Sequence, residues 1–86
     1  MSSIQEIEQR LLRVARNGLS EETQRRSVEG QSMLSDRAKE TLVVGLIQRE
    51  MGLIDGELVA KGLEQIPADV QAGLSQTVMA LSLIHI

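Results

Sequence analysis

Apolar residues recur at helical spacing near the start of the chain. Within residues 4–16 they share one face, while glutamate, glutamine and arginine occupy the others. The residues of this apolar face are Ile4, Ile7, Leu11 and Val14. Ser3 followed by Glu6 is a capping-box pattern, and Asn17 with Gly18 is typical of a left-handed helix stop. The pattern predicts an N-terminal amphipathic helix within residues 1–19.

The next segment, residues 20–35, has a different pattern. Between Leu19 and Met33 the only large apolar residue is Val28, and charged residues at a spacing of four can form ion pairs along a helix. Such a helix has little apolar surface to bury, and residues 30–32 have the composition of a linker. We therefore expect a polar, exposed helix that leads into a linker.

Helical spacing returns in residues 36–80. Ser35 is placed to cap a helix that runs to Met51, and Gly52 is placed to end it. Asp55 is expected to cap a further helix over residues 56–65, and Pro67 suits the start of a final one. The segment 36–80 therefore reads as a compact three-helix unit. For the whole chain we predict an all-α fold of four to five short helices, arranged as a compact array or bundle.

Residues 81–86, Leu-Ser-Leu-Ile-His-Ile, match an in-frame translation of the mosaic-end adapter used in transposase-based sequencing libraries. We interpret this tail as a processing scar that does not belong to the native protein. On this interpretation the natural reading frame is interrupted near Ala80. The chain would then be an N-terminal fragment of a longer protein.

The composition narrows the possible functions. The 86 residues include no aromatic residue and no cysteine, and the lack of cysteine excludes disulfide bonds, thiolate nucleophiles and sulfur-ligated zinc. The net charge of −3 gives no general attraction to nucleic acid or to anionic membranes. The longest apolar run, residues 42–47, is too short to span a bilayer, so we expect no membrane association and a cytoplasmic location.

No catalytic constellation is visible. The only histidine, His85, lies in the tail interpreted as adapter, and no nucleophile motif or paired Glu-x-x-His site occurs. The sequence therefore predicts a protein that is not an enzyme, with no catalytic, cofactor-binding or metal-binding residue.

One stretch resembles a known family. The helix ending at Met51, the turn expected at residues 52–55 and the spacing from Glu57 to Pro67 and Val70 resemble the helical half of a winged helix-turn-helix domain. The resemblance implies that the last helix enters the major groove of DNA. Charge disfavours this role, because residues 36–80 contain four basic and seven acidic residues, and residues 67–80 contain no lysine or arginine.

The preferred hypothesis is a non-catalytic helical protein-interaction or regulatory module, forming the N-terminal segment of a larger protein. Its N-terminal helix would bind a protein partner or a second copy of the chain. The predicted contact residues are Ile4, Ile7, Leu11 and Val14. Two alternatives remain open: a truncated winged helix-turn-helix regulator, and the helical N-terminal region of an enzyme whose active site lies downstream.

Overall fold

The computed structural model describes residues 3–84, and every regular element in that range is an α-helix. Helix α1 spans Ile4–Val28, α2 spans Asp36–Ala60 and α3 spans Ala68–Ile84. The all-α prediction is confirmed. The described part of the chain contains three helices, where the sequence predicted four to five shorter ones.

Helix α1 continues through Asn17 and Gly18, where a stop was predicted. Among the described residues, positive φ angles occur only at Gly30, with 70°, and Gly62, with 75°. Gly18 has a different role, because a Cβ atom there would overlap Cδ1 of Leu46 on α2. The predicted break was wrong because this glycine permits close packing of two helices and does not end one.

The second half of α1 is held by one apolar anchor and by ion pairs. Leu19 is buried, with 5% of its surface exposed. Glu22 bonds to Arg25 at 2.5 Å and to Arg26 at 3.1 Å. These contacts keep residues 20–28 helical although they bury little apolar surface.

Helix α2 likewise continues through residues 52–55, where a turn was predicted. Its buried residues lie three or four positions apart, at Val43, Ile47, Met51 and Ile54. This stripe continues past Gly52 without interruption, so burial against α1 and α3 offsets the cost of about 1 kcal/mol that glycine carries in a helix. The separate helix predicted over residues 56–65 was wrong, because residues 56–60 form the end of α2.

Serine caps were predicted correctly. The Ser3 hydroxyl accepts a hydrogen bond from the Glu6 amide at 3.2 Å, and the Ser35 hydroxyl accepts one from the Ala38 amide at 3.1 Å. Each cap satisfies an amide in the first turn that has no partner within the helix.

Asp55 fixes the connection between α2 and α3. Its carboxylate accepts a hydrogen bond from the Ile66 amide at 3.0 Å and another from Gln71 Nε2 at 2.7 Å. Pro67 lies directly before α3, and its carbonyl accepts a hydrogen bond from the Gln71 amide at 2.9 Å. The expectation that Asp55 would cap a helix beginning after it was wrong, since Asp55 lies inside α2 and holds the loop that follows.

The three helices pack around one core, and each contacts the other two. Its buried apolar residues are Ile7, Leu11, Leu12, Ala15, Leu19, Val43, Ile47, Met51, Ile54, Ile66, Leu74 and Val78. Five of these twelve come from α1, so α1 is an integral layer of the fold. None of the three helices is both long enough and apolar enough, over the residues described, to cross a membrane.

Candidate interaction surface

The predicted contact residues of α1 do not form one exposed surface. Leu11 has none of its surface exposed and Ile7 has 6%, and both belong to the core. Val14 is half-buried, whereas Ile4 is 52% exposed. A partner that docks on α1 could therefore contact Ile4 and the outer part of Val14, but not Ile7 or Leu11.

A different exposed apolar surface lies on α2. We call it the outer face and define it as Gly52, Leu53, Gly56, Val59 and Ala60, all of which are exposed. The large side chains in it are half in solvent, with 52% of Leu53 and 54% of Val59 exposed. Helical spacing places these five residues together, opposite the stripe that packs on α1 and α3. Apolar residues therefore lie on both sides of α2.

The two glycines of the outer face do not pack closely against any other part of the described chain. A Cβ atom at Gly52 or Gly56 would meet no heavy atom within 4 Å. Gly18 is the contrast, because its place against Leu46 explains it. Glycine inside a helix costs about 1 kcal/mol relative to alanine. At Gly52 and Gly56, no close packing within the described chain offsets this cost.

Charged side chains in this part of α2 point away from the outer face. The Asp55 carboxylate bonds to Gln71 on the side of α3. Glu57 bonds to Arg10 on α1, with 2.6 Å between Arg10 Nη1 and Glu57 Oε2. The outer face is left without a charge across residues 52–60, and exposed Arg49 lies on the same side of the helix one turn earlier.

Arg10 is the main electrostatic link between α1 and α2. Besides Glu57, it bonds to Glu50, with 2.5 Å between Nε and Oε2. The hydrogen bond from Arg10 lowers the pKa of Glu57 below its ordinary value of 4.5, although desolvation opposes the shift. The same hydrogen bonds, the one to Glu57 first, raise the pKa of Arg10. The arrangement is a structural clamp, since both carboxylates are held by one guanidinium.

The clamp and the separate Glu22–Arg25 ion pair on α1 together predict how the stability of the fold depends on pH. The pKa of Glu57 is lowered by Arg10 and that of Glu22 by Arg25, so both groups stabilise the fold above their unfolded value of 4.5. Their contribution is lost as the pH falls through the lower folded values. Urea unfolding at pH about 7 and about 3 should therefore show a lower midpoint in acid.

Replacing Arg10 with glutamine should reduce stability at neutral pH by about 1 kcal/mol, because Glu50 loses a partner while its side chain is only 14% exposed. The same change should make the acid dependence shallower. Arg13→Gln, at an exposed position of the same helix, is the control. An equal acid dependence in Arg10→Gln and the unmodified protein would contradict the clamp.

The described residues offer no assembled site for metal chemistry. No group of three or more His, Cys, Asp or Glu side chains within residues 3–84 is placed to hold a metal ion. His85 lies outside the described residues. Pro67 and Val70 do precede and begin the third helix, but the turn on which the helix-turn-helix resemblance depends is absent, because α2 is continuous there.

The spacing of residues in the outer face is visible in the sequence, but it was missed because Gly52 and Asp55 were each interpreted as the end or the start of a helix. Gly52 and Asp55 were explained as a stop and a cap, which divided the surface between two expected helices. Read as one helix, Gly52, Leu53, Gly56 and Val59 fall on one side at spacings of three and four. The surface became recognisable only when the helix was known to be continuous.

Comparison of the chain with protein-family models, with curated proteins and with solved structures finds no match.

Proposed function

We propose that this protein is a non-catalytic helical interaction module that associates with a second copy of itself through the outer face of α2. One observation carries the proposal: two glycines that contact nothing in the described chain lie four positions apart on α2, beside the exposed apolar side chains of Leu53 and Val59. Apolar surface and poor helix formers both lower the stability of a lone chain. A neighbouring helix at this surface would compensate for both.

Self-pairing fits the shape of this surface. Small residues four positions apart let two helix backbones approach closely, a packing mode best known from membrane helices that serves here as a geometric analogy. A two-fold axis near Gly52 and Gly56 would place glycine opposite glycine, and Leu53 and Val59 would pack beside the crossing. Such an interface is self-complementary, as two-fold dimers require.

The N-terminal helix has a smaller part in this proposal than the sequence suggested. Ile4 is the most exposed of its predicted contact residues and lies beside Leu63 at one end of the bundle, where both line a cavity. It can extend a contact made by α2. Ile7 and Leu11 support the fold from the core and have no direct contact with a partner.

No observation favours the DNA-binding alternative. Helix α3, which the resemblance would place in the major groove, contains Asp69 and no lysine or arginine. Phosphate contacts from basic residues supply most of the affinity of DNA-binding proteins. The continuous α2 also lacks the turn that would orient a recognition helix.

The mass of the full chain in solution tests the proposal. A single chain is 9.4 kDa, and we expect light scattering to report twice that mass as the concentration rises from about 1 μM to about 1 mM. Leu53→Asp and Val59→Asp should each raise the dimer dissociation constant at least about tenfold, because each buries an unpaired charge in the interface.

Met33→Asp is the matched control, since Met33 is 81% exposed and lies in the connection between α1 and α2. It should leave the dimer intact. A mass that remains 9.4 kDa at every concentration would overturn the proposal. So would a dimer that tolerates both Leu53→Asp and Val59→Asp.

A further inference from the structure

A cavity of about 580 Å³ lies along the second half of α1, beside the C-terminal end of α3. Its lining combines seven residues of α1 with Lys39 of α2 and Ser82 of α3. The volume lies within the range of roughly 300–1,000 Å³ that is usual for small-ligand sites.

The polar groups that line this cavity are all able to donate hydrogen bonds. Arg16 and Lys39 supply two positive charges, and neither belongs to an ion pair within the described residues. Hydroxyl groups of Ser20, Thr23 and Ser27 lie along the α1 side. These are the group types that bind carboxylates and phosphates in proteins.

No acidic side chain of residues 3–84 lines the cavity, although acidic residues outnumber basic ones in the chain, 12 to 9. Four other cavities of the described chain are each lined by at least one glutamate. The cavity beside α3 therefore has the largest excess of basic over acidic side chains among the five, with two basic residues and no acidic one. An anionic group would be favoured there and a cationic one disfavoured.

One wall residue of the cavity is a buried serine. Ser82 continues the stripe of Leu74 and Val78 on α3, is 2% exposed and lines the cavity. Its Oγ atom makes no hydrogen bond within the described chain.

Most of the lining lies outside residues 81–86. Eight of the nine lining residues belong to α1 and α2, and only Ser82 comes from residues 81–86. Apolar surface is also present, since buried Leu19 lies at the cavity wall and Val28, 81% exposed, lies at its rim. A ligand there would contact cations, hydroxyls and an apolar surface together.

We propose that this cavity binds a small amphiphilic anion, whose carboxylate or phosphate headgroup bonds to the cations and hydroxyls of the lining and whose short apolar tail contacts its apolar surface. The site is separate from the outer face of α2 and goes beyond the interaction function. Association through α2 and ligand binding beside α3 can therefore be measured independently.

Amide-resolved NMR titration of the full chain tests the site with defined probes. Sodium octanoate and octyl phosphate present the two headgroups on the same tail, and acetate, inorganic phosphate and 1-octanol present each part alone. We expect shift changes in residues 16–28, at Lys39 and beside Ser82, with at least one amphiphilic anion binding at least about tenfold more tightly than its headgroup or tail alone.

Charge removal within the cavity provides the matched comparison. Arg16→Gln and Lys39→Gln should each weaken binding of the better anion at least about fivefold, whereas Arg13→Gln, an exposed position outside the cavity, should not change it. Equal binding of 1-octanol and the anions would overturn the proposal. So would shift changes centred on residues 52–60, or equal weakening by Arg13→Gln.

Discussion

Replacing Leu11 with alanine is expected to lower the free energy of unfolding by about 3–5 kcal/mol. Leu11 has no exposed surface and lies among the largest fully buried side chains of the protein. Its removal would leave a cavity in a core that contains no aromatic side chain to collapse into the space. Small domains have only about 5–15 kcal/mol of total stability, so the loss should be a large fraction of the whole.

Urea unfolding followed by far-ultraviolet circular dichroism measures this loss. Ile4→Ala is the matched control, because Ile4 belongs to the same apolar stripe but is 52% exposed, and we expect a change below about 1 kcal/mol. Each protein should be unfolded at several concentrations, since stability gained from a partner depends on protein concentration. A loss at Leu11 that vanishes on dilution would show that Leu11 supports an assembly, against its place in the core.

This pair of substitutions addresses a limit of reasoning from the sequence. The stripe of Ile4, Ile7, Leu11 and Val14 correctly predicted a helix with one apolar face. The spacing cannot distinguish a face that packs on the same chain from one that packs on another, because both need the same residues. Burial of Ile7 and Leu11 by α2 and α3 is a property of the tertiary structure.

Helix ends also show that sequence patterns do not reveal tertiary packing. The caps at Ser3 and Ser35 depend on contacts within one turn, and both were predicted. The stops predicted at Gly18 and Gly52 used local signals as well, but tertiary packing overrode them. Gly18 lies against another helix, and an unbroken buried stripe carries α2 past Gly52. Of the actual stops, Gly30 falls in the linker predicted over residues 30–32, whereas the break before Gly62 was not foreseen.

The outer face and the cavity beside α3 were beyond sequence reasoning for a related reason. The outer face could not be recognised from the sequence, because its residues were divided between two predicted helices that are in fact one helix, α2. The cavity required Lys39 of α2 and Ser82 of α3 to lie near the second half of α1, across long separations in the chain. Neither juxtaposition follows from spacing within a single element.

Combining Gly52→Ala with Gly56→Ala is expected to change two properties in opposite directions. The free energy of unfolding of the single chain should rise by about 1–2 kcal/mol, because alanine favours a helix over the unfolded chain and the added Cβ atoms enter open space. Self-association should weaken at least about tenfold, because two methyl groups per chain would hold the helices apart at their crossing. Urea unfolding at low concentration and light scattering measure the two effects.

Gly73→Ala on α3 separates general helix stabilisation from an effect on the interface. A Cβ atom at Gly73 also meets nothing within 4 Å, so this change should stabilise the chain without altering association. Dimers that persist in the double variant would show that the outer face is not the contact. A fall in stability would instead mean that Gly52 or Gly56 needs a left-handed backbone, as in the predicted turn, since the added Cβ atoms have open space and alanine is strained where φ is positive. The sign of the stability change therefore tests whether α2 is continuous, and the change in association tests whether the outer face is the dimer contact.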